Sequence, residues 1–285
     1  MPLTAASVRT DFAKINYQPP EPWEDGFSLV FAGNPTLVDV TLLKAAELLR
    51  LELSTVEKVL NAGAPIPLSY LRSLPDAHLL ASRLAQVGFE CAIVGDDLLQ
   101  ARTPPTRVRS VIFEQNEILL EDFNTRKFSP VSCNDRVLLV TGALTKKSSD
   151  VSGKIRNGAL KTTSETLAYS DEAVIDIYPP SDVYGYRVRP AGFDFSCLAD
   201  RMQALGSANM MELTAELRKR FSDAVVRDEF RSAVTLIESV WPAVKSDQSN
   251  SVPRGMFGGV RKQSLTVLDN TIQFTKFSRL QRHFL

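Results

Sequence analysis

From Leu37 to Val94 the chain reads LVDVTLLKAAELLRLELSTVEKVLNAGAPIPLSYLRSLPDAHLLASRLAQVGFECAIV, and this stretch decides the architecture of its first third. Apolar residues at Val40, Leu43, Ala46, Leu48 and Leu49 follow helical spacing. Ser54-Thr55-Val56-Glu57 has the form of a capping box, in which Ser54 accepts from a free backbone N–H and Glu57 reaches back to another. It predicts a second helix. Gly63 and Pro65 stop that helix, because glycine tolerates the left-handed cap conformation and proline cannot continue the ladder. Ile66 to Tyr70 reads as a short strand. Ser73-Leu74-Pro75-Asp76 repeats the capping pattern, with proline in the first turn, where its missing N–H costs nothing. The next helix, Asp76 to Val87, sets Leu79, Leu80, Leu84 and Val87 on one side and ends at Gly88. Phe89 to Val94 is the last strand. Upstream, a proline-rich lead (Gln18 to Trp23) precedes an apolar strand, Phe27 to Phe31, closed by a Gly33-Asn34-Pro35 turn.

This β-α-α-β-α-β order resembles the C-terminal domain of the bacterial ribosomal stalk protein. The resemblance is carried by the series helix, Leu51-Glu52-Leu53, helix, Ala64-Pro65, helix, Gly88, strand, and covers about a quarter of the chain. In that family a glycine-containing turn separates the first two helices; here the matching residues are Leu49-Arg50-Leu51-Glu52-Leu53, so the turn is made differently. In that family the first two helices also form a basic and apolar face that recruits translation GTPases. The matching apolar positions are Val40 and Leu43, and the matching basic positions are Asp39, Lys44, Glu47 and Glu57. Only Lys44 keeps its sign, and three anions in place of cations repel an acidic partner. The resemblance therefore implies a re-used fold whose partner-binding residues are Val40, Leu43 and Lys44, with a partner other than a translation GTPase.

The chain of 285 residues has room for two domains, and 44% hydrophobic with 23% charged residues is an ordinary globular composition. Three cysteines, Cys91, Cys133 and Cys197, are odd in number and lack metal-ligand spacing, which points away from a disulfide framework or a zinc site. They are expected to serve as buried small hydrophobes. With no signal-peptide core in the N-terminal stretch and no run approaching the roughly 18 apolar residues of a membrane span, a cytoplasmic protein without a transmembrane segment is expected.

Gln100 to Thr106, with Pro104-Pro105, reads as a linker between a stalk-like domain at 24–98 and a second domain at 107–285. The second domain opens with seven β-rich segments, VRSVIFE, EILLEDF, KFSPV, RVLLVTGAL, ETLAYS, EAVIDIY and YGYRVR, with turns at Gln115-Asn116 and Asn124-Thr125. Lys146 to Thr163 is polar and contains Gly153 and Gly158, which predicts a long loop. Ser207 is placed to cap a helix from Ala208 to Phe221, and Val226 to Trp241 reads as another, stopped by Pro242. Lys245 to Gly259 reads as loose, and Leu265, Val267, Ile272 and Phe274 as one or two strands. A seven-stranded meander closed by a helix over residues 107–221 is similar to a pleckstrin-homology-like domain; another antiparallel α+β sandwich fits the same order. The fold class expected of the chain is α+β. Segments FDFSCL, SVWP and QFTKFSRL also resemble parts of uncharacterised bacterial proteins.

The chemistry-bearing residues are sparse. His78 lies inside a predicted helix and His283 in the basic tail, and neither sits beside a nucleophile signature. Asp96-Asp97, Glu121-Asp122 and Asp171-Glu172 read as turn and strand-edge acids. Gly153-Lys154 and Gly258-Gly259 lack the spacing of a phosphate loop. Net charge is zero, yet residues 251–285 carry six basic side chains against the single acid Asp269, a local +5 on a body of −5. In this tail Phe277, Leu280 and Phe284 fall at helical spacing between Lys276, Arg279 and Arg282. The reading is a non-enzymatic adaptor that binds an unknown protein and needs no cofactor or metal. Its alternative is an anion-binding protein that contacts nucleic acid or acidic lipid through Arg261, Lys262, Lys276, Arg279 and Arg282. The two differ in whether the tail aromatics are docked in the core or exposed, and docking is the expectation.

Overall fold

The computed structural model describes residues 14–21, 23–33, 38–156, 159–254 and 259–285, with the backbone alone at 152–156, 159–165, 249–254 and 259–263. The chain divides into two compact units, Met1–Leu99 and Gln100–Leu285. Helices and strands are both present in quantity, an α+β protein.

In the first unit the order is β1 (Phe27–Phe31), α1 (Asp39–Leu49), α2 (Leu53–Leu60), β2 (Pro67–Leu71), α3 (Leu74–Gln86), β3 (Cys91–Gly95) and the short α4 (Asp96–Leu99). The strands form one antiparallel sheet in the order β2-β1-β3. Leu29 and Val30 of the central strand, Leu68, Leu71 and Val94 of its neighbours, and Ala45, Leu49, Val56, Leu80 and Leu84 of the helices are buried together as the core of this unit. Ser73 caps α3 as its sequence suggests, accepting from the Asp76 N–H at 3.5 Å. The box at Ser54 does not form. α2 begins two residues earlier, behind Glu52, and has no side-chain cap, so Ser54 lies within the helix. The acids Asp96-Asp97 start α4 rather than ending a strand, and Asp96 accepts from the Tyr70 hydroxyl and, at 3.1 Å, from the Gly26 N–H. The unit also takes in residues ahead of 24: Ile15 is buried, the Asn16 N–H donates to Asp76 and the Tyr17 hydroxyl donates to the Leu48 carbonyl at 2.6 Å. Asn34 and Pro35, read as a turn, lie outside the described residues.

The second unit runs β4 (Thr106–Phe113), β5 (Glu117–Asp122), β6 (Phe128–Ser132), β7 (Leu138–Arg156), β8 (Ala159–Tyr178), β9 (Tyr186–Val188), a 3-10 segment at Phe195–Arg201, α5 (Gly206–Arg220), β10 (Val225–Arg227), α6 (Phe230–Val240), β11 (Val244–Arg254), β12 (Gly259–Asp269) and α7 (Thr271–His283). Its sheet has the order β11-β12-β7-β8-β9-β4-β5-β6, with β10 beside β7. Two pairings, β4 with β9 and β10 with β7, are parallel, so the sheet is mixed where an antiparallel one was expected. Val108, Val111, Ile118, Leu120, Leu139, Ile175 and Ile177 pack with Leu213, Leu217 and Phe221 as one hydrophobic core.

Five further expectations are corrected here. The polar stretch at Lys146 to Thr163 is not a loop: it forms the distal halves of β7 and β8, paired row by row from Leu138↔Tyr178 to Arg156↔Ala159. ETLAYS and EAVIDIY are consecutive parts of β8. The loose stretch at Lys245 belongs to β11, paired along its length with β12. Ile272 and Phe274 are helical in α7 rather than extended, and α5 starts at Gly206 with no side-chain cap from Ser207. Gly142 of β7 lets α7 lie close, since a Cβ at that position would meet the Phe274 ring at 2.5 Å.

Candidate binding surface

α1 takes its helical form from a run without proline or glycine, opened by Asp39, whose charge suits the positive end of the helix dipole. Its buried side is Ala45, Ala46 and Leu49. At 3.6 residues per turn, Val40, Leu43, Lys44 and Glu47 fall opposite that side. They are exposed: Val40 keeps 60% of its surface and Leu43 54%, with Val38 at 69% just ahead of the helix. Val40 and Leu43 are neighbours at i,i+3. An apolar pair flanked by one cation and two anions, Asp39 and Glu47, therefore stands on the outer face of the first unit.

The α1–α2 turn is made by an arginine where the stalk family uses glycine. Arg50 adopts the left-handed conformation, φ 57°, and closes α1 through backbone bonds to Ala46 and Glu47. A non-glycine residue is strained there. Its guanidinium lies over the Tyr17 ring, 3.9 Å from the centroid, and the Tyr17 hydroxyl in turn holds the Leu48 carbonyl. The cation–π contact and the hydrogen bond offset that strain.

The basic tail is arranged in the opposite way. Phe274, Phe277 and Leu280 are fully buried, with Phe274 and Phe277 against Phe230 of α6 at ring separations of 4.9 and 5.3 Å. Arg279 is 4% exposed and donates to the carbonyls of Gln100, Thr103 and Tyr184. Arg282 is half-buried and donates to the Pro180 carbonyl at 3.4 Å, and Lys276 stands 5.5 Å from the Trp241 ring. The side chains of Arg261 and Lys262 lie outside the described residues, as does Gly258. The five cations of the proposed anion site are thus not gathered on one described surface, and of the tail aromatics Phe274 and Phe277 are in the core while Phe284 is exposed.

A buried polar network, which sequence reading missed, fastens α7. Arg187 of β9 makes a two-pronged pair with Asp176 of β8, Nε to Oδ1 at 2.6 Å and Nη2 to Oδ2 at 2.7 Å, and Nη2 also donates to Thr275 at 3.1 Å. Ser278 donates to the Tyr178 hydroxyl at 3.0 Å, and burial raises the Tyr178 pKa. The signal was an acid, Asp176, inside the apolar run AVIDIY and a cation, Arg187, between Tyr186 and Val188, charges that an interior admits only as partners.

Elsewhere the ionisable groups serve structure. His78 is exposed on α3, and His283 is exposed with its ring 5.2 Å from that of Phe284. The three cysteines are free and each is partly rather than fully buried. Burial pushes the Cys91 thiol up to about 12 and the Cys197 thiol to about 11, with Asp194 adding to the latter, so both are poor nucleophiles at neutral pH. Asp122 receives the turn N–H groups of Asn124 and Thr125, and Glu172 is paired with Arg189. Among the described residues no group of three or more His, Cys, Asp or Glu side chains is placed to hold a metal ion, and no helix is long and apolar enough to cross a membrane. No protein-family model, curated protein or solved structure matches the chain.

Proposed function

We propose that the protein is a non-enzymatic adaptor of the bacterial cytoplasm that binds another protein through the outer face of α1, with Val40 and Leu43 as the apolar contact and Lys44 at its rim. On this reading the first unit is a stalk-like fold turned to a partner other than a translation GTPase, and the second a PH-like module. The observation that carries it is the exposure of Val40 and Leu43 opposite the buried side of α1, where a helix serving only its own core places polar residues. Three free cysteines fit a reducing compartment. The anion-binding alternative is less favoured, because Phe274 and Phe277 are buried and leave Phe284 as the exposed aromatic of α7's end for stacking on a base.

The test is affinity purification of the full chain against its Val40→Ser/Leu43→Ser variant from the native cell, after both have been shown to melt alike. A protein retained by the wild type and lost from the variant supports the reading. Equal recovery of every bound protein rejects it, and retention of a translation GTPase through Lys44 rejects the changed partner.

A further inference from the structure

β8 and β11 are the two outer strands of a single four-stranded ribbon, β11-β12-β7-β8. Its rows cross all four strands, with one register shift, between Ser152 and Gly153 of β7, where β8 carries an extra residue: Val244, Asp269, Lys146 and Ser170 form a row before the shift, and Val252, Arg261, Lys154 and Lys161 one beyond it. Among the described residues nothing pairs with the outer side of β11, and β9 covers β8 only at Ile175–Ile177. Two free edges, each leaving a line of unpaired N–H and C=O groups, therefore span the same rows. Such edges are templates for another strand, and proteins ordinarily blunt them with charge, proline or short length. Here they are long. From Thr162 to Ser170 β8 has one charged residue, Glu165, and no proline; on β11 Pro253 stands at the far end and spares 244–252.

The ribbon has no core of its own to justify that length. No described residue of β8 from Thr166 to Ala173 is buried, and the side chains at 166–170 and 244–248 are all exposed. Leu167 and Tyr169, 75% and 62% exposed, share one face with Leu268 and border an open recess of about 370 Å³, in which Lys147 is the charged residue.

Strand direction suits a second copy of the chain as the missing neighbour. β11 runs opposite to β12, β12 opposite to β7 and β7 opposite to β8, so β11 and β8 are antiparallel to one another. A second molecule placed beside the first in the same orientation brings its β11 to the free edge of β8 with the alternation unbroken and the same faces on the same side. Continued without stagger, the rows set Lys245 opposite Tyr169, Asp247 opposite Leu167, Ser249 opposite Glu165 and Val252 opposite Lys161, and none brings two like charges together. We propose that β8 of one molecule pairs antiparallel with β11 of the next, so that the protein assembles head to tail with copies of itself. Such an interface is heterologous, and each copy that docks presents a fresh edge. It uses neither Val40 nor Leu43 and stands apart from the adaptor reading.

Proline at an outward-facing position of either edge removes a donor and blocks docking, while an inward-facing one damages the ribbon. Consecutive residues of a strand face alternately, so Leu167→Pro and Ala168→Pro on β8, and Ser246→Pro and Asp247→Pro on β11, each include one blocking variant, recognised by an unchanged melting curve. By sedimentation across the micromolar range the wild-type chain should be larger than a monomer and each blocked variant monomeric. A β8-blocked chain mixed with a β11-blocked chain should give a one-to-one dimer, since each keeps the edge that the other lacks. A wild-type chain that stays monomeric overturns the proposal whatever the variants do. So does a blocked variant that still self-associates, which would mean pairing of like edges, or a mixture that fails to combine.

Discussion

Helices α1 and α7 both interleave apolar with charged residues, and their large apolar side chains have contrasting exposures. In α7 the apolar residues meet β7 and α6, and Arg279 turns inward to three carbonyls. In α1 one side is filled by small residues, Ala45 and Ala46, and the larger Val40 and Leu43 point out. The difference teaches that size matters as much as polarity. Phenylalanines in α7 reach across to the sheet, where Gly142 makes room, whereas α1 turns Ala45 and Ala46, with Leu49, to its core and carries Val40 and Leu43 on the opposite side.

The sharpest way to break this contrast is Phe277→Ala. A fully buried ring removed from the contact with Phe230 should cost about 3 kcal/mol in chemical unfolding of the second unit. A loss below about 1 kcal/mol would mean that α7 is not the closing element described here.

A smaller effect is expected at Glu216 of α5, whose carboxyl is 8% exposed and receives Arg220 at 2.7 Å and Arg201 at 3.0 Å. The hydrogen bond from Arg220 is the chief cause that holds its pKa below the usual value of 4.5, with Arg201 adding to it. A depressed folded-state pKa stabilises the fold above the unfolded value, and that stabilisation is lost as pH falls through the folded value. Glu216→Gln should therefore be less stable than the wild type by about 1 kcal/mol at neutral pH, and the gap should close in acid below the ordinary glutamate range. A gap that is constant with pH would show that packing, not charge, holds this residue.

The smallest effect belongs to α1. Leu43→Asp should change the stability of the first unit by less than about 0.5 kcal/mol, measured by thermal melting; a large loss would place Leu43 in the core and remove the surface proposed for the partner.

The parts of the fold legible in the sequence are those in which a buried face imposes a period. Leu80 and Leu84 marked α3, the run FSLVF marked β1, and Phe277 with Leu280 marked the helix at the tail. Where no face is buried the signal disappears. The distal parts of β7, β8, β11 and β12 are rich in Ser, Thr and Lys, none of their described side chains at 146–151, 166–173, 244–248 and 264–269 is fully buried, and composition alone reads as loop. Gly153 and Gly158 strengthened that reading, although Gly153 is paired within β7. Helix starts at Ser54 and Ser207 were misplaced because a cap sequence is permissive: the chain can begin the helix two residues early and leave the hydroxyl unused as a cap. Of the surface on α1, position and residue types were legible, but exposure was not, since it depends on which neighbours the helix meets.

The place of α7 in the chain sets an order of events on the ribosome. The first unit has all its elements once Leu99 has emerged, whereas the second lacks Phe274, Phe277 and Leu280 until synthesis has passed them. At about 10 residues per second, nearly 20 seconds separate the two moments. Phe230 and Trp241, made late in that interval, stay without their cover for about its last 4 to 5 seconds, and the apolar surface they leave open is of the kind that chaperones bind.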